Sequence, residues 1–288
     1  MHDIESGLIR HISVKCSGAG ISGRPGKAAG VNAIIALPAV VLSVIYISVI
    51  ALPLYALAAY SGAEGIKSLF LNPGIITSIK VSFSTSLPAL LLTFCLGTPA
   101  AFFIKNGSLP IVSKLLEILT GLPVVLPPAA AGMALLLVFG RSGPVGALLD
   151  SMGGSIVFTP YAVILAQFFV SSGFYIQVLG TGIGMVDKEI YEVSYILGAG
   201  KVETFFRIIL PIIKKSAIAG LILSWARSMG EFGATIIFAG NVEGMTRTMP
   251  LEIYTLMQTD IVQASAVSAL LAFISFFALF MVKVRVKD

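Results

Sequence analysis

The sequence predicts an all-α integral membrane protein with six transmembrane helices and a cytoplasmic helical hairpin between spans four and five. Three observations support this fold class: the composition, six long apolar runs, and the distribution of lysine and arginine. Hydrophobic residues make up 57% of the 288-residue chain and charged residues only 11%. A soluble domain carries about 25% charged residues. The surface of this protein must therefore face lipid.

The apolar runs define the predicted spans, because a helix needs about 20 apolar residues to cross a bilayer. They cover residues 33–60, 76–104, 111–140, 158–182, 212–240 and 260–283. Residues 33–288 therefore form a single transmembrane domain. Residues 1–32 are a polar, glycine-rich leader, which we expect to be a loose cytoplasmic tail or a short amphipathic segment on the membrane. The leader lacks the basic-then-apolar order of a cleavable signal.

Lysine and arginine set the orientation, since cytoplasmic loops carry an excess of both. These residues concentrate in the leader, between spans two and three, between spans four and five, and at the C-terminus. The sequence therefore predicts a multi-pass protein of the cell membrane with both termini in the cytoplasm. The scattered basic residues form no patch that indicates nucleic-acid binding.

Sites for nucleotides, metals and catalysis are not indicated. The stretch GAGISG at residues 18–23 has the glycine spacing of a dinucleotide loop but is followed by a membrane span. The stretch GISGRPGKA at residues 20–28 resembles a phosphate loop, but its glycines are one residue too far apart and Ala28 replaces the magnesium-binding hydroxyl. Cys16 and Cys95 have no metal or redox spacing. We therefore expect neither catalysis nor a bound cofactor or metal in this chain.

Span three contains GLPVVLPPAAAG at residues 121–132, which follows Thr120. Its prolines, Pro123, Pro127 and Pro128, remove backbone donors and disfavour the helical conformation of the residue before each. Interrupted backbone at membrane depth persists only where it packs on protein or lines a watery cavity. The sequence therefore predicts either a structural kink or a kink that borders a transport path, and we favour the second.

Span five contains SWARSMGEFGATIIFAGN at residues 224–241. Arg227 and Glu231 are four residues apart and would share a face of a continuous helix. Charges within a span usually meet a partner or a wet cavity. Two interpretations remain: an ion pair that holds helices together, or a lining of the outer part of a pathway. Gly233 allows a neighbouring backbone to approach, and Thr235 adds a hydroxyl to the same segment.

Between spans four and five lies EVSYILGAGKVETFFRIILP, residues 192–211. Val202, Phe205, Phe206 and Ile209 have helical spacing and are predicted to share one apolar face. Asp187 stands where it can cap the preceding helix, and Gly198 and Gly200 allow the chain to reverse. The hairpin either lies among lipid headgroups or docks on a cytoplasmic partner.

This segment also carries a resemblance to a known family. Glu192, Gly198, Ile208, Leu210 and Pro211 match the fixed positions of the E-A-A-x3-G-x9-I-x-L-P motif of ATP-binding-cassette importer permeases. Val193 and Ser194 replace the two alanines, and both are small enough for a close contact. The resemblance implies that residues 192–211, including Ala199 and Gly200, form the coupling helix that docks on an ATPase.

Three further stretches narrow the resemblance. Residues 122–132, LPVVLPPAAAG, residues 230–241, GEFGATIIFAGN, and residues 246–254, TRTMPLEIY, resemble the molybdate, tungstate and sulfate branch of these permeases. Phe232 and Ala234 are most similar to the molybdate or tungstate members, since sulfate permeases tend to have Tyr and Ser there. Permeases for sulfate or another oxyanion remain an alternative.

The resemblance implies a homodimer with a central pore, two separate ATPase subunits that hold ATP and magnesium, and an external oxyanion-binding protein. No tight oxyanion site is expected in the chain, because transport needs weak binding. Hydroxyls such as those of Thr120 and Thr235 are the candidate donors along the path. A second hypothesis, from another class, is an ion- or proton-coupled secondary transporter with Arg227 and Glu231 as the relay, which internal inverted repeats would favour.

Overall fold

A computed structural model describes residues 26–107 and 109–287, with side chains for 38–107 and 109–284. The chain is divided after Pro53 into two compact units. Helices, and no strands, form the described part of the chain. The packing discussed below lies entirely within the second unit.

The first half of the chain forms five helices. They are α1 (Gly26–Leu71), α2 (Pro73–Asn106), α3 (Pro110–Val125), α4 (Pro128–Phe139) and α5 (Pro144–Ser151). Asn72 caps α2, since its side chain accepts a hydrogen bond from the Gly74 amide at 2.9 Å. Four of the five helices begin with proline, whose missing N–H costs nothing in the first turn.

The second half forms eight helices and one π-helical turn. They are α6 (Pro160–Gly184), α7 (Lys188–Ile196), α8 (Lys201–Thr204), the π turn (Phe205–Ile209), α9 (Leu210–Ile212), α10 (Lys214–Met229), α11 (Gly233–Phe238), α12 (Met249–Leu256) and α13 (Ile261–Lys287). Asp260 accepts hydrogen bonds from the amides of Val262 and Gln263 at the start of α13. These bonds hold the pKa of the Asp260 carboxyl below its usual range.

Four described helices are long and apolar enough to cross a membrane: Pro38–Leu71, Pro73–Asn106, Pro160–Gly184 and Ile261–Val284. They correspond to predicted spans one, two, four and six. Predicted span three corresponds to the pair α3 and α4, between which the chain bends by 116°. Predicted span five is not the continuous helix that the sequence suggested, because α10 ends at Met229 and α11 begins at Gly233.

The core centres on α6, which is the most buried of the four long helices. One end of α6 packs with α2 and the π turn around Tyr175, Leu179 and Ile209. The other end packs with α4 and α11 around Val163, Ala166 and Phe238. The helix thus connects the hairpin segment to the two broken helices.

Candidate functional site

The hairpin segment consists of α7, a tight turn, α8 and the π turn. Gly198 reverses the chain with φ of +86°, a left-handed conformation that glycine adopts without strain. The Gly198 amide donates to the Tyr195 carbonyl and the Ala199 amide to the Ser194 carbonyl, each at 3.0 Å. This pair of bonds is the Schellman motif that closes the C-terminus of a helix. Gly200, the second glycine predicted at the turn, is extended, with φ of −72°.

The two limbs of the hairpin are joined by a buried hydrogen bond. The hydroxyl oxygens of Ser194 and Thr204 lie 3.0 Å apart, and both residues are buried. Ser194 also donates to the Tyr191 carbonyl. The small side chain of Ser194 thus makes the close contact expected at this position of the motif. Val193, the other small residue of the motif, is exposed. Asp187 stands at the N-cap of α7 but makes no side-chain capping bond.

The predicted apolar face of the second limb is divided in the structure. Phe205 and Ile209 are buried, but Val202 is 71% exposed and Phe206 is 60% exposed. A π turn also interrupts this limb, since the Leu210 amide donates to the Phe205 carbonyl, five residues back. Val202, Phe205 and Phe206 nonetheless line one cavity beside α2, and Ile209 lies in the same buried cluster as Phe205. The core therefore covers only part of the predicted face.

Buried residues of the hairpin fasten it to the membrane helices. Phe205 and Ile209 belong to the same buried cluster as Ala101 and Ile104 of α2 and Leu179 of α6. The rings of Phe102 and Phe205 meet edge to face with centroids 4.7 Å apart. Of the other motif residues, Ile208 and Leu210 are half-buried beside this cluster, whereas Glu192 and Pro211 are exposed.

An apolar ridge of the hairpin is exposed. We define the ridge as Val193, Ile196, Leu197, Val202 and Phe206, of which Val202 and Phe206 also line a cavity of about 610 Å³ beside α2. Arg207 and Glu203 flank it and form an exposed ion pair at 2.7 Å. Nearby, Tyr191 is partly buried and accepts a long hydrogen bond from Asn106 of α2. That burial raises the pKa of the Tyr191 phenol.

The first helix break separates α3 from α4. Pro123 remains inside α3, and the chain leaves the helical conformation at Leu126 and Pro127. Pro128 is then the first residue of α4. One turn before Pro123, the Thr120 hydroxyl donates to the Leu116 carbonyl at 2.8 Å. The break therefore falls at the second and third prolines of the predicted stretch.

The second helix break separates α10 from α11 and is organised by Glu231. Its side chain is 1% exposed, and Oε1 accepts a hydrogen bond from the Ala234 amide at 2.8 Å. Oε2 lies 2.7 Å from Arg227 Nη1. This contact is an ion pair but not a hydrogen bond, since no donor meets Oε2 with hydrogen-bond geometry. Glu231 thus satisfies a free amide at the start of α11.

The two breaks pack against each other. A Cβ added at Gly233 would lie 2.7 Å from the Pro128 Cβ. Similarly, the chain at Gly132 approaches Ala234 so closely that a Cβ would lie 2.9 Å from the Ala234 Cα. Thr235, the next residue after Ala234, is buried, and its hydroxyl has no hydrogen-bond partner among the described atoms. The structure thus brings Pro128 and Gly233 together.

A polar cluster that the sequence analysis did not single out lies in the connection from α11 to α12. Arg247 contacts Glu243 at 3.2 Å and Glu252 at 3.5 Å, and its Nε donates to Asn241. Burial raises the pKa of the Glu252 carboxyl, and the charge of Arg247 opposes that rise. The described residues hold no group of three or more histidines, cysteines or carboxylates close enough to bind a metal.

These features are typical of a helical membrane transport protein: apolar helices, interrupted helices within the predicted spans, and a hairpin with an exposed apolar ridge. The comparison with known families agrees. Residues 94–286 match the family described as binding-protein-dependent transport system inner membrane component, and the chain belongs to that family. The resemblance inferred from the hairpin motif is thereby confirmed.

Relatives of known name place the chain in the molybdate and sulfate branch. It is 48% identical over 247 residues to a probable transport system permease protein NifC of Clostridium pasteurianum, covering 86% of each chain. It is 37% identical to the molybdenum transport system permease protein ModB of Mycobacterium tuberculosis, covering 78% of this chain and 85% of that protein. It is 32% identical to a sulfate transport system permease protein CysW of Synechococcus elongatus, with 78% and 81% covered.

Solved structures share the fold. A chain of a bacterial alginate ABC transporter, solved with an alginate-bound periplasmic protein, aligns with a TM-score of 0.67 at 20% identity. The alignment covers 90% of this chain and 93% of that one. A chain of an amino acid ABC transporter aligns with a TM-score of 0.55 at 15% identity.

Proposed function

We propose that this protein is the membrane subunit of an ATP-driven importer that moves molybdate- or tungstate-type oxyanions into the cytoplasm. In this proposal two copies form a homodimer with a central pore. Two separate ATPase subunits bind ATP and magnesium, and an external binding protein delivers the oxyanion. Each copy crosses the cell membrane six times, and both termini lie in the cytoplasm.

The hairpin is the observation that carries the proposal. Its buried residues, Phe205 and Ile209, are fixed in the core beside α2 and α6, while its ridge of five apolar side chains is exposed. Exposed apolar patches mark protein or membrane interaction sites, and the match of residues 192–211 to the coupling motif of importer permeases supports a protein partner here.

The role proposed for the hairpin is to transmit movement from the ATPase to the spans. Because Phe205 and Ile209 belong to the same buried cluster as Leu179, a displacement of the hairpin displaces the end of α6. The other end of α6 packs on α4 and α11, which contain the two helix breaks. We therefore propose that the residues of the breaks, among them Thr120, Pro123, Pro127, Arg227, Glu231 and Thr235, border the pathway whose access is switched.

Molybdate or tungstate is the proposed substrate because ModB of Mycobacterium tuberculosis is named for molybdenum transport and is 37% identical to this chain. Sulfate is the second candidate, since a named sulfate permease is 32% identical. Both are tetrahedral dianions, so the protein is expected to handle them by the same chemistry.

The direct test is transport in proteoliposomes. The complete transporter is purified through a tag on this chain, together with the ATPase and the binding protein that assemble with it. Uptake of radiolabelled molybdate, tungstate and sulfate is then measured with internal ATP or with a proton gradient. We expect uptake only with ATP. Uptake driven by the gradient alone would identify a secondary transporter and overturn the proposal.

The docking role is tested separately with Gly198→Pro and Glu192→Lys. Proline cannot adopt φ of +86° and removes the amide that bonds Tyr195, so the turn is lost. Glu192→Lys reverses an exposed charge within the motif. Both variants should insert in the membrane but lose at least tenfold in ATPase stimulation. Glu189→Lys, an exposed reversal on the same helix outside the motif, is the control. Unchanged assembly and ATPase stimulation in both variants would refute docking.

A further inference from the structure

A polar cavity lies among α2, α3 and α6, at the same end of the molecule as the hairpin. Its volume is about 270 Å³, and its polar side chains are those of Lys105, Glu117, Thr120, Gln177 and Thr181. A water molecule occupies about 30 Å³ in the liquid, so the cavity has room for a small oxyanion with part of its hydration shell. The side chain of Lys105 passes beside Gly180, where a Cβ would lie 3.1 Å from the Lys105 Cε.

The position of these side chains is unusual for a protein in lipid. Gln177 and Thr181 lie within α6 and are exposed, and Glu117 lies within α3 and is exposed. Polar and charged side chains within spans almost always face a bundle interior or a water-filled path, because lipid cannot solvate them. The wall formed by α3 and α6 therefore borders water or another polar surface rather than lipid.

The charges in the cavity are paired with each other. Lys105 Nζ lies 2.6 Å from Glu117 Oε1, and the two side chains are 32% and 56% exposed. An ion pair in contact with water is worth only about 0.2–1 kcal/mol. A dianion that entered the cavity can therefore displace the Glu117 carboxylate from the Lys105 ammonium at small cost.

We propose that this cavity is a transit site for a tetrahedral dianion on the way to the cytoplasm, a proposal that rests on the proposed transport function. Lys105 supplies the positive charge, and the Gln177 amide supplies a second donor. The hydroxyls of Thr120 and Thr181 donate to backbone carbonyls of their own helices, which leaves the ammonium and the amide as the two groups that recognise an anion.

Glu117 has the opposite role in this proposal, that of a built-in competitor. The Glu117 carboxylate pairs with the Lys105 ammonium again whenever the substrate leaves, so the lysine is never left without a counter-charge. Substrate binding is weakened by the energy of the Lys105–Glu117 pair, and weak binding is what release into the cytoplasm requires. The site therefore attracts the dianion without retaining it.

The cavity is also adjacent to the residues that hold the hairpin. Ala101, Ile104 and Ile176 line it and belong to the same buried cluster as Phe205 and Ile209 of the π turn. A movement of the hairpin therefore changes the shape of the cavity wall directly. This contact gives the ATPase a route to alter the affinity of the transit site.

The binding test is a lysine footprint on the complete transporter in detergent. The protein is acetylated with increasing molybdate or sulfate at constant ionic strength, and the labelling of each lysine is measured by mass spectrometry. We expect either dianion to protect Lys105 with half-protection on the order of 1 mM. Chloride at the same ionic strength should not protect it. Lys114, on the same helix as Glu117 but outside the cavity lining, is the internal control.

Substitutions distinguish the proposed roles of Lys105 and Glu117, because loss of the lysine should weaken anion binding and loss of the glutamate charge should strengthen it. Glu117→Gln should lower the half-protection concentration about 1.4- to 5-fold, the range that corresponds to a surface ion pair of about 0.2–1 kcal/mol. Lys105→Met should reduce ATP-driven uptake at least tenfold while assembly with the ATPase is retained. Arg141→Met, which removes another exposed, weakly paired cation, is the matched control and should leave uptake unchanged.

The outcomes for the transit site and for the proposed function are distinct. No protection of Lys105 in the unmodified transporter, or weaker dianion binding in Glu117→Gln, would overturn the transit site even if ATP-driven uptake is normal. Protection of Lys105 together with gradient-driven uptake would support the site and overturn the ATP-driven proposal. Protection by chloride equal to that by sulfate would overturn selectivity for dianions and with it the proposal.

Discussion

The two broken helices of this protein interrupt neighbouring, mutually packed segments by different chemistry. The break between α3 and α4 has proline at two successive positions, Pro127 and Pro128, which need no partner there. The break between α10 and α11 depends on one buried carboxylate, Glu231, which bonds the Ala234 amide and contacts Arg227. The first break is a property of the backbone itself, whereas the second also depends on the side-chain contacts of Glu231.

That difference indicates which break is easier to disturb. A proline break survives changes around it, because the ring itself disfavours a continuous helix. A break satisfied by a side chain leaves a buried amide and a charge without partners when that side chain is lost. Substitutions at the second break should therefore have larger effects than substitutions at the first.

Glu231→Ala has the largest expected effect. It removes the acceptor of the Ala234 amide and leaves Arg227 partly buried without its counter-charge. Removal of one partner of a buried pair costs about 3–5 kcal/mol, and we expect the lower end because Arg227 reaches solvent. The measurements are the yield of monodisperse protein and the midpoint of thermal unfolding in detergent. Transport should fall, while ATPase docking of the folded fraction is retained.

Glu231→Gln distinguishes the contribution of the hydrogen bond to Ala234 from that of the charge contact with Arg227. The amide oxygen of glutamine still accepts from Ala234, but the charge contact with Arg227 is lost. We therefore expect its unfolding midpoint to lie between those of the unmodified protein and Glu231→Ala. Normal transport and normal yield in both variants would show that the carboxylate does not organise this break.

Gly233→Val has the next largest expected effect. Its Cβ would meet Pro128 at 2.7 Å, closer than packed carbon atoms approach, so the two breaks must separate. Overpacking of this kind costs about 1–3 kcal/mol. The matched control is Gly230→Ala in the same connection, where the nearest atom would be 3.9 Å from the added Cβ. Equal thermal unfolding of Gly233→Val and Gly230→Ala would contradict the packing of the two breaks.

Pro128→Ala should have the smallest effect of the three. Pro127 and the contact with Gly233 still hold the bend, and the main loss is the conformational restriction of the unfolded chain. That loss is about 0.4–1 kcal/mol. Thermal unfolding should therefore change by only a few degrees, and ATP-driven uptake should persist. A loss as large as that of Glu231→Ala would remove the distinction between the two breaks.

Much of the fold follows from local sequence signals. Four of the six predicted spans correspond to long apolar helices. A run of twenty or more apolar residues forms a helix in lipid because only internal hydrogen bonds can satisfy its backbone there. The proline stretch also predicts the first break. The second break is not evident from hydropathy, because Glu231 acts through the Ala234 amide and Arg227, and sequence spacing alone suggested a continuous helix through all three residues.

The hairpin shows the same limit at smaller scale. Glycine and the spacing of polar and apolar residues predict a turn at Gly198 and helical limbs around it. They do not predict the π turn, because an extra residue in one turn depends on how Phe205 and Ile209 fit the core. The ion pair of Lys105 and Glu117 could likewise not be predicted from the sequence, since the two residues are twelve positions apart and lie on different helices. Gln177, a polar residue within an apolar run, was the available signal for that cavity.

The π turn also has a consequence for how such a surface changes over generations. In a regular helix one residue corresponds to about 100° of rotation, so the extra residue at 205–209 changes the rotation of α8 relative to the helices that follow the turn. Deletion of one residue there would rotate α8 while every other side chain is kept. The surface proposed for docking is therefore open to change by insertion and deletion as well as by substitution.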